Sequence, residues 1–294
     1  MKMMQLENIT KNFGDVMALD GIDLSLDEGQ ILGFIGPNGA GKTTTLRILM
    51  GIIQASSGNA SIFGKDAWND GVELHKRISY VPGDVNLWPN LTDGEVIDLF
   101  MRLKRGSSKN LREQLITRFD LDPTKKCRTY SKGNRQKVAL IAAFAADSDL
   151  YVLDEPTSGL DPLMESVFQD CVLDLKKQGK SVLLSSHILS EVETLCDSVS
   201  IIRQGKIIES GTLLELRHLT QTSIEVRTAL PLDELLTDAR IHDLIKSDGA
   251  YSFNVNTSEL GSLMTELSRY QISSLKCMPP SLEQLFMSHY SERG

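Results

Sequence analysis

The chain has no long hydrophobic run. Its longest uninterrupted apolar stretch, Val138 to Ala146, covers nine of the 294 residues, and a bilayer-spanning helix needs about 20. The start, Met1 to Thr10, lacks the extended apolar core of a secretory signal. Cysteine is scarce. Cys127, Cys171, Cys196 and Cys277 are never closer than 25 residues, so no C-x-x-C pair exists to hold a metal or exchange a disulfide. A reducing, cytosolic setting follows, with each cysteine acting as a small apolar filler. Positive charge is in deficit: 31 Lys and Arg against 39 Asp and Glu leave a net charge of −8. That balance offers no general attraction to nucleic acid, and no sustained heptad repeat points to a coiled-coil arm. What is present, 41% apolar and 24% charged residues, is the composition of a globular protein. The length suits one large domain, or a large one and a small one.

Patterning predicts strands alternating with helices, hence an α/β architecture with a largely parallel sheet. Strands are expected at Leu6 to Thr10, Leu19 to Leu26, Ile31 to Ile35, Ile78 to Val81, Leu150 to Leu153 and Ser181 to Ser185, with a hairpin about Gln204-Gly205. Ile31 to Ile35 and Leu150 to Leu153 are nearly all apolar, as strands buried on both faces are. A helix from Lys42 should stop at Gly51. Thr92 with Glu95 predicts a capping box, Asn110 with Glu113 a second one, and Ser131 a third helix cap. Further helices are expected at Val167 to Lys177 and Leu189 to Cys196. The pattern restarts near residue 220. Strands are expected at Ile224 to Arg227, Tyr251 to Val255 and Ile272 to Cys277. Helices are expected at Leu232 to Leu244, after Asn256, and at Leu282 to Phe286. The division is therefore a domain over 1–217, with a helical part at about 84–145, and a small α+β domain over 222–294.

The strongest chemical signal is Gly36, Pro37, Asn38, Gly39, Ala40, Gly41, Lys42, Thr43 and Thr44, which fits G-x-x-x-x-G-K-[ST]. The glycines let the backbone curl, and the curl turns N–H groups inward as an anion nest. The following helix adds the positive end of its dipole. Lys42 supplies a mobile charge for the outer phosphates, and the Thr43 hydroxyl can ligate Mg²⁺. A second apolar run, Leu150 to Leu153, ends in Asp154 and Glu155, 112 residues after Lys42. Asp154 is placed to hold Mg²⁺ through water, and Glu155 to act as general base on an attacking water. No N-K-x-D box for guanine occurs, so ATP is the expected nucleotide.

With those two motifs, Ser131-Lys132-Gly133-Asn134-Arg135-Gln136 resembles the L-S-G-G-Q signature of ABC-transporter ATPase subunits. The order of the remaining motifs agrees. Ser158-Gly159-Leu160-Asp161 looks like the D-loop, His187 like the switch histidine, and Phe13 like the aromatic residue that stacks on adenine. The resemblance spans about residues 3–215. It implies a P-loop NTPase core with an antiparallel β subdomain and a helical subdomain, plus the small C-terminal domain. It also implies ATP hydrolysis at a site shared by two copies, a homodimer being expected. The phosphate loop of one copy would hold the triphosphate, and Ser131 and Gly133 of the other would cap its γ-phosphate. Asp161 would organise the opposite site, and His187 would contact the γ-phosphate. Implied partners are an integral membrane permease and a second ATPase subunit, not nucleic acid, at the cytoplasmic face of the membrane. The helical part would meet the permease.

Three residues depart from the family pattern. Gly83 stands where a Gln is usual, so water or Asp84 would replace it at the metal, or coupling is altered. Lys132 replaces the first signature glycine, and Asn134 the terminal glutamine. Pro280-Ser281-Leu282-Glu283, with Phe286, resembles the ending of the drug- and antibiotic-export branch. The rival readings are an ATP-gated module that does not hydrolyse and a soluble ABC-type ATPase acting on nucleic acid.

Overall fold

The computed structural model describes residues 1–104, 106, 108–129, 131–218, 221–232, 238–247 and 249–278. It divides into two compact units, Met1–Ser210 and Gly211–Gly294.

In the first unit, β1 (Lys2–Phe13) and β2 (Val16–Asp27) form a long antiparallel hairpin that continues through β4 (Ser57–Ile62) and β5 (Lys65–Asp66), in the order β2-β1-β4-β5. Both hairpin strands run further than their apolar alternation alone suggests. Main-chain pairing carries them out to Phe13 and Val16, past the end of the buried face. A second sheet has the order β10-β9-β3-β8-β7-β6. Its members are β3 (Ile31–Ile35), β6 (Ile78–Val81), β7 (Leu150–Asp154), β8 (Ser181–Ser186), β9 (Ser198–Arg203) and β10 (Lys206–Thr212). The pairings β9-β3, β3-β8, β8-β7 and β7-β6 are all parallel. Every residue of β3, β7 and β8 is buried, which is why Ile31 to Ile35 and Leu150 to Leu153 read as nearly continuous apolar runs. Helix α1 (Lys42–Leu49) joins the layers: Leu46, Ile48 and Leu49 share one core with Leu6 and Ile62 of one sheet and Leu32 and Val152 of the other.

A short helix α2 (Gly71–Leu74) precedes β6. The helical part that follows contains α3 (Asp93–Arg102), α4 (Lys109–Arg118) and α5 (Lys132–Phe144). Thr92 and Glu95 complete both halves of the capping box of α3. The cap of α4 is Ser108, whose hydroxyl accepts from Leu111 N–H, and the expected cap Asn110 lies inside the first turn. Ser131 caps α5 as predicted, accepting from Asn134 N–H. Helix α6 (Pro162–Lys177) begins five residues before the predicted Val167, because Asp161 caps it and Pro162 occupies the first helical position. Helix α7 (Leu189–Leu195) follows β8.

In the second unit, α8 (Leu213–His218) leads into an antiparallel sheet of order β12-β13-β11-β14. Its strands are β11 (Gln221–Thr228), β12 (His242–Ser247), β13 (Ala250–Asn256) and β14 (Ile272–Met278). Helix α9 (Leu260–Leu267) packs Leu263 and Leu267 against Ile224, Val226, Phe253 and Val255. The predicted helix from Leu232 to Leu244 is corrected where it can be seen: 233–237 lie outside the described residues, and Asp238 to Ile241 form a turn closed by Ile241 N–H on Asp238 O at 3.0 Å. His242 to Leu244 belong to β12, paired with β13 from His242↔Asn254 to Ser247↔Ala250, and sheet hydrogen bonding overrides a local helical pattern. The predicted helix at Leu282 to Phe286 lies outside the described residues. Cys127, Cys171 and Cys196 are buried and Cys277 is exposed, all as free thiols.

Candidate functional site

Three loops meet at one edge of the parallel sheet, because β3, β8 and β7 are adjacent and run in the same direction. Ile35 pairs with Ser186, and Ser185 pairs with Asp154. The glycine-rich loop leaves β3, Glu155 follows β7 and His187 follows β8, so residues far apart in sequence arrive at the same carboxyl edge. In open α/β sheets this edge is where ligands bind.

The loop curls back on Lys42. Gly41 caps α1 with φ 114°, a conformation that L side chains rarely adopt. A Cβ there would also lie 2.6 Å from Leu19 Cδ2. Lys42 is 4% exposed. Its ammonium donates to Gly36 O at 2.7 Å and Pro37 O at 3.3 Å. A cavity of about 160 Å³ opens there, lined by Pro37, Asn38, Gly39, Gly41, Thr43 and Thr44 together with Ala18, Lys42 and Glu155. A buried cation, a helix N-terminus and a glycine loop around one cavity fit a polyphosphate.

Asp154 is 1% exposed. Its Oδ2 accepts from Thr43 Oγ1 at 2.9 Å and its Oδ1 from Ser185 Oγ at 2.9 Å. Burial pushes this carboxyl above the usual carboxylate range. The bonds from Ser185 and Thr43 pull it down, and neighbouring Glu155 pushes it up again. Thr43 and Asp154 thus present two hard oxygen atoms side by side, a donor pair that suits Mg²⁺.

Glu155 adopts φ 47°, a strained conformation for a residue with a side chain. Its N–H donates to Ser185 O at 2.9 Å. The turn sends its carboxylate between the Lys42 ammonium and the His187 imidazole: Oε1 is 3.4 Å from Lys42 Nζ and Oε2 is 3.5 Å from His187 Nδ1. Lys42, Glu155 and His187, predicted separately, therefore form one contiguous set.

The remaining predicted residues lie elsewhere on the unit. Phe13 is half exposed at the tip of the β1–β2 hairpin, with Lys11 Nζ 4.9 Å from its ring centre. Ser131 and Gly133 open α5 and lie beside the Ser158–Asp161 loop of their own chain. A Cβ on Gly133 would sit 2.3 Å from Gly159 O, and Lys132 Nζ donates to Ser158 Oγ at 2.6 Å. Asp161 is exposed and accepts from Met164 N–H at 3.0 Å. Gly83 follows β6, and a Cβ there would be 3.2 Å from Asp154 O. Sequence reading missed Ser185 and Ser186. The only signal for them was a hydroxyl pair where a buried apolar strand ends.

Known proteins resemble this chain in sequence and in fold. The ABC transporter family profile matches residues 19–158. The linearmycin resistance ATP-binding protein LnrL of Bacillus subtilis is 31% identical over 307 residues, with 97% of each chain covered. The daunorubicin resistance ATP-binding protein DrrA3 of Streptomyces coeruleorubidus is 35% identical, covering 73% of this chain and 70% of that one. Among solved structures, an ATP-binding subunit of an ABC transporter superposes with TM-score 0.68 at 30% identity, covering 74% of this chain and 92% of its own. A dimeric post-hydrolysis structure of the ATP-binding cassette MJ0796, bound to ADP and Pi, gives TM-score 0.65 at 25% identity, covering 72% and 99%.

Proposed function

The chain belongs to the ABC transporter family as one of its ATP-binding, ATP-hydrolysing subunits, and on that premise we propose that it powers export of a small molecule through a separate membrane permease. The observation that carries the catalytic assignment is Glu155 set between Lys42 at 3.4 Å and His187 at 3.5 Å. Lys42 and the loop Gly36–Thr44 hold the triphosphate. Glu155 takes a proton from the attacking water, and His187 orients that water toward the terminal phosphate. Thr43 and Asp154 would hold Mg²⁺, which supplies charge neutralisation on the phosphates. Phe13 stacks on the adenine.

The active form is a dimer of this subunit. Ser131 and Gly133, at the N-terminus of α5, cap the γ-phosphate held by the facing copy, and Asp161 orders that site. The dimeric state of the MJ0796 cassette supports this reading. ATP binding closes the pair, and hydrolysis opens it.

The permease contact is assigned to an apolar groove of about 480 Å³ in the first unit, whose lining includes Ile52, Val72, Tyr80, Leu87, Phe100 and Leu103. Ile52, Val72 and Leu103 are each at least half exposed, and Trp88 stands exposed nearby. Exposed apolar clusters of this kind mark interaction surfaces. Among the described residues no helix is long and apolar enough to cross a membrane, so a separate permease would hold the subunit at the cytoplasmic face. Relatives named for linearmycin and daunorubicin resistance favour export of an antibiotic-like compound.

Glu155→Gln tests the core of this reading. It should lower kcat for ATP by a thousandfold or more, keep ATP affinity within threefold, and accumulate an ATP-bound dimer on size exclusion. Turnover at the native rate would remove Glu155 from the base role. Tagged protein drawn from membranes should bring a hydrophobic permease with it.

A further inference from the structure

Behind the Glu155–His187 pair lies a buried carboxylate that none of the steps above uses. Glu191, in the first turn of α7, is 3% exposed. Its Oε2 accepts a 2.6 Å hydrogen bond from Ser186 Oγ. The Ser186 hydroxyl in turn accepts from Ile188 N–H at 3.0 Å, so the residues on both sides of His187 are tied together. The other oxygen of Glu191, Oε1, is buried with no hydrogen-bond partner among the described residues, and buried Thr157 lies near enough to lower the carboxyl's pKa. Glu191 therefore holds the segment that carries the histidine, and Thr157, two residues after the base, lies near it.

A carboxylate out of water is costly unless hydrogen-bonded, and a hydroxyl or amide in its place would satisfy Ser186 at less expense. Here the bond holds the loop whose outward-facing member, His187, meets Glu155 at 3.5 Å. His187 is half exposed and Glu155 rests in a strained turn, so neither is fixed by packing of its own side chain alone.

We infer that Glu191 is a positioning residue for hydrolysis: by gripping Ser186, it holds the His187 loop in place against Glu155. The inference rests on the assignment of Glu155 and His187 to the reaction.

Two kinds of measurement test it. In steady-state kinetics, Glu191→Ala and Ser186→Ala should each lower kcat for Mg-ATP at least tenfold, with KM for ATP within twofold. Displacing a reacting group by about 1 Å can cost 10²-fold. Glu191→Gln keeps an oxygen for the Ser186 hydroxyl and should keep kcat within threefold. In the nucleotide-free protein, amide exchange of a peptide spanning 183–190 should run at least fivefold faster in the two alanine variants and unchanged in Glu191→Gln. Unchanged kcat in the alanine variants, a rise in KM alone, or unaltered exchange overturns the inference. So does a Glu191→Gln protein as slow as Glu191→Ala. Should Glu191→Ala fail to fold, Ser186→Ala and Glu191→Gln decide the matter, since neither alters side-chain volume much. Wild-type and Glu155→Gln turnover, run alongside, separate this outcome from failure of the Glu155 assignment. Exchange over 183–190 reads the hold on the His187 loop whether or not Glu155 is the base.

Discussion

Replacing Glu191 by glutamine should make the protein more stable above pH 6 and remove a pH dependence that the native chain carries. Burial pushes the Glu191 carboxyl from 4.5 up to about 6. That position is the net result: burial is the largest cause, the bond from Ser186 opposes it, and Glu165 adds a smaller push upward. The native state thus keeps a proton over a range in which the unfolded chain has lost it. Between those values the folded state binds more protons, so stability falls as pH rises. The contribution is complete below pH 4.5 and gone above about pH 6. A shift of about 1.5 units corresponds to about 2 kcal/mol. Glu191 is almost fully buried, so solvent screening does little to reduce that figure. Glutamine does not titrate. The stability difference between Glu191→Gln and wild type should therefore grow in favour of the variant by about 2 kcal/mol from pH 4.5 to pH 7. Other titrating groups are common to both proteins and cancel in the difference. Denaturant unfolding of the full chain at half-unit pH intervals measures it, followed by a signal from the first unit. In thermal melts the same change is roughly 4–8 °C for a unit of that size. A difference that stays flat within 0.5 kcal/mol, or one that grows toward acid, refutes the account of Glu191 as a carboxyl destabilised by burial.

Two other substitutions probe close approaches. Gly133→Ala places a methyl 2.3 Å from Gly159 O, so the start of α5 must separate from the Ser158–Asp161 loop. The expected loss is about 1–3 kcal/mol in urea unfolding, and a neutral result would mean that the two loops are not packed as described. Gly83→Gln, which restores the residue usual in the family, should lower kcat for ATP at least twofold rather than raise it. Its Cβ would press on the Asp154 carbonyl at 3.2 Å, and a gain in turnover would show instead that the metal lacks a ligand.

The parts of this protein that were legible beforehand are those governed by neighbours a few residues away. The phosphate loop announces itself because curling around an anion demands glycine, lysine and threonine at fixed spacing. Thr92 and Glu95 announce the start of α3 because a capping box closes within four residues. Ser131 did the same for α5. Where two candidate caps stood close together, local pattern could not choose, and Ser108 prevailed over Asn110. Asp161 was read only as a D-loop residue, although Pro162 after it also marks a helix start. His242 to Leu244 fit a helical pattern yet pair with β13, since strand partners are recruited from a remote segment.

The sequence by itself determined the chemistry available: a cation, two carboxylates, a hydroxyl and a histidine, with buried strands to deliver them. Only the tertiary structure decided that β8 runs between β3 and β7, that a strained turn swings Glu155 between Lys42 and His187, and that Glu191 lies beneath the His187 loop. Loop conformations and caps follow from forces acting within one turn of chain, whereas the distance between groups 113 and 145 residues from Lys42 depends on how separate strands line up in a shared sheet.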